Sequence, residues 1–133
     1  MKAIQFSTYG DSSVLKLTEV NKPAIKDDEV LVKVKATTIN PLDMKIRSGM
    51  MQKNMPVQFP FIPGSDVAGS VEAVGSKVTR LKIGDEVFGT TFGGTYAEYA
   101  AVKENLLAIK PKSISFNEPK DLRCLAPYDQ PRR

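Results

Sequence analysis

The sequence predicts a mainly β domain, a small barrel or sandwich of short strands with one or two short helices. Two observations carry that reading. Apolar and polar residues alternate in several stretches, and glycine, proline and asparagine clusters break the chain at short intervals. No internal repeat, heptad pattern or low-complexity tract points to another architecture.

The elements follow in order. Ala3 to Phe6, Val14 to Val20 and Glu29 to Ala36 read as strands, separated by Tyr9-Gly10-Asp11 and Asn21-Lys22-Pro23. In the third, Val30, Val32, Val34 and Ala36 share one face, and Leu31, Lys33 and Lys35 share the other. A slip of one residue would bury lysines, so the valine face marks the core. A short helix is expected from Pro41 to about Arg47, with Asn40 at its N-cap, Pro41 where a missing amide costs little, and Ser48-Gly49 as the stop. Met50 to Pro60, with its methionines and prolines but no periodicity, reads as a surface loop. Asp66 to Val74, Asp85 to Thr91 and Thr95 to Val102 read as further strands, broken by Gly75-Ser76-Lys77, Lys82-Ile83-Gly84 and Gly93-Gly94. Leu106 to Ile109 is the last strand, and Ser115 to Arg133 is expected to be poorly ordered.

Composition narrows the chemistry. The 133 residues suit one ordinary domain, and no apolar run approaches the roughly 20 residues of a membrane helix. The start also lacks a secretory signal, so a cytoplasmic location is expected. With one cysteine, Cys124, and no histidine, the chain can form no internal disulfide, has almost nothing for a mixed-ligand zinc site, and cannot build a Ser-His or Cys-His nucleophile. Proton transfer is left to Lys, Tyr, Asp, water or substrate. The net charge of +4 is spread over dispersed lysines, which argues against nucleic-acid binding while suiting an anionic small molecule.

Asn40 has two readings, a helix cap and a ligand-facing amide, and both can hold at once. Lys45 reads either as a solvated lysine or as a cation reaching a pocket. Asp66 heads an apolar strand and must find donors if buried. Gly64 and Gly69 suit close backbone approach. Gly93-Gly94-Thr95-Tyr96 either lines a cleft or forms a hairpin tip.

Asn40-Pro41-Leu42-Asp43-Met44-Lys45, Phe59-Pro60-Phe61-Ile62-Pro63-Gly64 and Gly84-Asp85-Glu86-Val87-Phe88-Gly89 together resemble the N-terminal domain of the medium-chain dehydrogenase/reductase superfamily, in its zinc-independent quinone and enone oxidoreductase branch. The resemblance runs from Met1 to about Glu118. It implies a GroES-like, partly open β-barrel over residues 1–116, no Rossmann domain, and a non-family, disordered tail over 117–133. In zinc-dependent relatives a cysteine ligand stands at or beside the position of Asn40, and Gly-His-Glu matches Gly64-Ser65-Asp66. Neither position carries a ligand here, and the four-cysteine zinc lobe is missing. Crystallin-like quinone reductases carry tyrosines where this chain has Lys45 and Met51, which tilts the resemblance toward enone reduction.

By that resemblance the chain is the catalytic-domain portion of an NADPH-dependent oxidoreductase, passing hydride to a quinone or an α,β-unsaturated carbonyl without zinc. Asn40, Lys45 and Asp43 are the implied catalytic residues, and Asn40, Lys45 and Thr95 the implied cofactor contacts. NADPH would be held mainly by a domain this chain lacks, since Pro119-Lys120-Asp121 breaks the helix expected after Glu118. The chain then reads as truncated and inactive alone. Small-molecule substrates, no nucleic acid and no membrane are the expected partners, with homodimerisation left open. The alternative is a stand-alone GroES-like binding or oligomerisation module without enzymatic activity.

Overall fold

The computed structural model describes residues 1–111. The expected tail, 117–133, and the stretch from Ser115 lie outside the described residues. The described chain is mainly β, with a two-stranded and a five-stranded antiparallel sheet and one α-helix. The two-stranded sheet pairs β1 (Lys2–Gln5) with β2 (Lys16–Glu19). The larger sheet is built from β3 (Glu29–Thr37), β4 (Asp66–Val74), β5 (Glu86–Thr90), β6 (Tyr99–Lys103) and β7 (Leu107–Ile109), in the spatial order β6-β3-β4-β5-β7. Helix α1 (Pro41–Ser48) fills part of the connection between β3 and β4.

The alternation in β3 does what the sequence predicts. Val30 and Val32 are fully buried, while Lys33 and Lys35 are exposed. They pack with Val67, Val71, Val87, Val102 and Leu107 into one core, so the sheet is held chiefly by valine side chains suited to a pleated surface. Gly69 sits in β4 opposite Val34, and a Cβ there would stand 2.0 Å from the Lys33 carbonyl oxygen. The two central strands meet where only glycine fits.

The N-terminal sheet is joined to the rest by bridges from Ala3 to Ala97 and from Phe6 to Phe61. Around the second, Phe6 packs edge-on against Phe59 and Phe61, with ring centroids 5.8 Å apart in each pair. At the outer edge, Lys22 places its ammonium 4.2 Å from the centre of the Tyr99 ring.

Several boundaries differ from expectation. The second strand starts at Lys16 rather than Val14, because Asp11 accepts from the Ser13 backbone N–H at 2.9 Å and winds Ser12–Val14 into a 3-10 turn. Phe6 lies just past β1, as a bridge. Asp85 closes a turn by accepting from the Lys82 N–H at 3.0 Å, so β5 begins one residue later. A second 3-10 turn, Glu104–Leu106, delays β7 to Leu107. The strand expected from Thr95 begins only at Tyr99. Gly93-Gly94 is no hairpin tip: β5 pairs with β4 and β7, and β6 pairs with β3, so the strands flanking the glycines are not partners.

Candidate functional site

The junction between β3 and α1 gathers the polar side chains. Asn40 is extended (φ −111°, ψ 149°), Pro41 opens the helix, and the chain leaves α1 through Gly49 at φ 92°, a left-handed cap. The Asn40 backbone N–H donates to Asp43 Oδ2 at 3.2 Å, half of a capping box. The Asn40 amide turns the other way: Nδ2 donates to Asp66 Oδ2 at 2.9 Å and to Thr38 Oγ1 at 3.3 Å. Thr38 donates its own hydroxyl to the same Asp66 oxygen.

Asp43 and Asp66 are 5% and 3% exposed, so each must be satisfied by donors. Asp43 accepts from Ser65 Oγ at 2.6 Å besides the Asn40 N–H, and Tyr96 approaches it at 3.4 Å. Asp66 is served by Thr38 and Asn40. Two buried carboxylates thus flank Asn40 and fix both its backbone and its amide. Burial first, then the neighbouring Asp43 carboxylate, pushes the Tyr96 hydroxyl from 10.0 up to about 12, which keeps it protonated and donating at neutral pH.

A cleft of about 440 Å³ opens beside this junction, lined by Asn40, Ser65, Asp66, Thr90, Thr91 and Phe92 among others. Half-buried Asn40 faces it. A second cleft of about 440 Å³ is lined by Thr37, Ile39, Thr95 and Tyr96 with aliphatic neighbours.

Of the residues singled out from sequence, Asn40 and Asp43 come together with Asp66. The Lys45 side chain is exposed on α1, without a hydrogen bond or ion pair among the described residues. Thr95 is fully buried, its hydroxyl 2.8 Å from that of Thr37, and it borders the second cleft rather than the one at Asn40. Thr38, Ser65 and Tyr96 were not legible as partners. Ser65 is adjacent to Asp66, but Tyr96, marked in the sequence only as part of the Gly93–Tyr96 segment, lies 53 positions from Asp43, and nothing local ties it to that carboxylate. Among the described residues no group of three or more His, Cys, Asp or Glu is placed to hold a metal ion, and no helix is long and apolar enough to cross a membrane.

This barrel-like sheet and its β3–α1 junction correspond to a known domain. The family model for the alcohol dehydrogenase GroES-like domain matches residues 26–112, and the chain belongs to that family, within the medium-chain dehydrogenase/reductase superfamily. Its relatives are quinone and alkenal oxidoreductases. It is 47% identical over 122 residues to the chloroplastic quinone-oxidoreductase homolog of Spinacia oleracea, covering 89% of this chain and 37% of that protein. It is 48% identical over 126 residues to the chloroplastic NADPH-dependent alkenal/one oxidoreductase of Arabidopsis thaliana, covering 87% of this chain and 32% of that protein. The Escherichia coli quinone oxidoreductase complexed with NADPH superposes with a TM-score of 0.81 at 33% identity, over 87% of this chain and 35% of that one. The chain therefore spans about a third of the length of the relatives it matches.

Proposed function

We propose that this chain is the substrate-side domain of an NADPH-dependent quinone or enone oxidoreductase, with residues 1–116 as the domain and the Asn40 cleft as the place where nicotinamide and acceptor meet. The observation carrying this reading is Asn40 at the edge of an open cleft, its amide held by buried Asp66 and its backbone N–H by buried Asp43. Family membership sets the reaction class.

The cleft suits one end of a dinucleotide. Its lining offers an amide, hydroxyls from Ser65, Thr90 and Thr91, and the ring of Phe92, which match a nicotinamide riboside in polarity. No lysine or arginine among the described residues lines it, which fits phosphates held elsewhere. When bound, the reduced nicotinamide supplies the hydride. The chain's own residues then orient and exclude. With its two amide hydrogens given to Asp66 and Thr38, Asn40 offers Oδ1 to accept from a ribose hydroxyl, and Asp43 and Asp66 act as positioning residues that keep Asn40 from rotating. Lys45, an exposed ammonium on the same helix without an ion pair among the described residues, is available to stabilise the oxygen on which charge develops. Thr95 acts at one remove from this cleft, its hydroxyl meeting that of Thr37, which donates to the Asp66 carbonyl. Lacking histidine, the domain leaves the final proton to water or to a Tyr or Lys donor.

The chain alone is expected not to turn over, because no cation among the described residues of this cleft holds the phosphates. The test is a chimera in which residues 1–116 replace the matching segment of the Escherichia coli quinone oxidoreductase. NADPH oxidation with an enone or quinone is the expected result, reduced at least tenfold by Asn40→Ala. A folded chimera that binds NADPH but oxidises it with neither acceptor would overturn the proposal.

A further inference from the structure

The Asn40 cleft has an apolar part that the chemistry assigned to it leaves unused. Leu42, Phe92 and Leu106 line it alongside the amide and the hydroxyls. Phe92 is the only aromatic among the described residues of that lining, and it is 49% exposed. A single exposed ring on a surface would need no explanation. This one is held in place through both its backbone and its side chain.

The Thr91 N–H donates to the Ser65 carbonyl at 2.7 Å, and the Gly94 N–H donates to the Ile62 carbonyl at 2.6 Å, so the chain on either side of Phe92 is tied to the segment leading into β4. The Phe92 ring leans on Phe61, with centroids 5.8 Å apart and planes at 52°. Phe61 in turn meets Phe6 edge-on at 5.8 Å, and Phe6 is 1% exposed. Three rings therefore run from the interior to the cleft. Gly93, at φ 79°, makes room for the middle one, since a Cβ there would stand 2.4 Å from Phe61 Cζ. A ring fixed before a ligand arrives loses little freedom when another surface stacks on it, and its π face favours a flat partner ring.

We propose that Phe92 is the specificity-determining residue of this cleft, favouring acceptors whose carbonyl is conjugated with a flat ring over puckered or open-chain ones. The assignment rests on the reading of the Asn40 cleft as the acceptor site. Leu42 and Leu106 offer apolar contact to either kind of acceptor, and Asn40, Ser65 and Thr91 offer polar contact to either. The discrimination falls to the one side chain of the lining with a π face.

The test is an NMR titration of the 133-residue chain, labelled at its backbone amides, with acetophenone and with cyclohexyl methyl ketone. The two share a carbon skeleton and a carbonyl and differ in the flatness of the ring. Both are expected to shift the Thr91 and Gly93 amides saturably. Phe92→Leu keeps an apolar side chain and loses the π face, and should lower the acetophenone affinity about two- to tenfold relative to that of the alicyclic ketone, the range of an aromatic pair. Phe92→Tyr should retain the wild-type ratio. Absence of saturable shifts at Thr91 and Gly93, an equal loss of both ligands in Phe92→Leu, or an unchanged ratio in that variant would each overturn the proposal. The ratio is read without cofactor or turnover, so the two readings fail separately. An inactive chimera with a Phe92-dependent ratio removes the reaction and leaves a cleft selective for flat rings, whereas an active chimera with an unchanged ratio removes only the role of Phe92.

Discussion

The Asn40 side chain donates 2.9 Å to the carboxylate of Asp66, tying the residue that caps α1 to the first residue of β4 across 26 positions of sequence. One hydrogen bond thus joins the helix start, the strand head and the cleft. Because Asp66 is buried, its oxygens must be satisfied from within the fold, and Thr38 and Asn40 bring the donors.

Asn40→Ala removes one of those donors. A hydrogen bond to a charged group contributes about 1.5–3 kcal/mol, and a loss of that size is expected in urea unfolding, with an unchanged m-value. A stability change within about 0.5 kcal/mol would show that water replaces the amide and that the pair is not holding the junction.

Gly69→Ala and Gly84→Ala separate two kinds of glycine. At Gly84, where φ is 97° and nothing lies within 4 Å of a new Cβ, only backbone strain of about 1–2 kcal/mol is expected. At Gly69 the Cβ would sit 2.0 Å from the Lys33 carbonyl oxygen, and the strand pair must separate to admit it. Thermal melts should therefore rank Gly69→Ala well below Gly84→Ala.

Val32→Ala deletes two methyl groups at a fully buried position in the middle of β3, for an expected cost of about 2–3 kcal/mol. Leu17→Ala, on a side chain 70% exposed, should stay within about 0.5 kcal/mol. Denaturant titration of both variants distinguishes a core carried by β3 and β4 from one spread evenly over the surface.

Alkaline pH reads out Tyr96. Its folded-state value of about 12 lies above the 10.0 of an unperturbed tyrosine, so the folded chain holds a proton that the unfolded chain releases. The resulting stability is fully present below pH 10 and is lost as pH rises toward 12. In a tyrosinate absorbance titration one of the four tyrosines should ionise late, and Tyr96→Phe should remove that phase.

The parts of the fold written in local pattern were legible. Alternation placed the core face of β3, and Asn40-Pro41 with Asp43 and Gly49 placed both ends of α1, because capping and pleating are decided by neighbours a few residues apart. The misplaced boundaries had local causes that outweighed strand propensity, as when the Asp11 side chain drew Ser12–Val14 into a turn. Strand partnership was another matter. Gly93-Gly94 has the composition of a hairpin, but the pairing of β6 with β3 is set by the core that Val102 and Ala100 share with Val30 and Val32. The site divided in the same way. Asn40 and Asp43 announce themselves at a helix start, whereas Thr38, Ser65 and Tyr96 matter only through contacts made after folding.

The Lys22 ammonium over the Tyr99 ring sits on the outermost strand of the large sheet. A strand in that position exposes backbone groups that a neighbouring molecule can extend into a continuous ribbon, and a charge held above it makes such stacking unfavourable. Replacing Lys22 by a neutral residue is therefore expected to show first as concentration-dependent aggregation, followed by light scattering, rather than as a lower melting point.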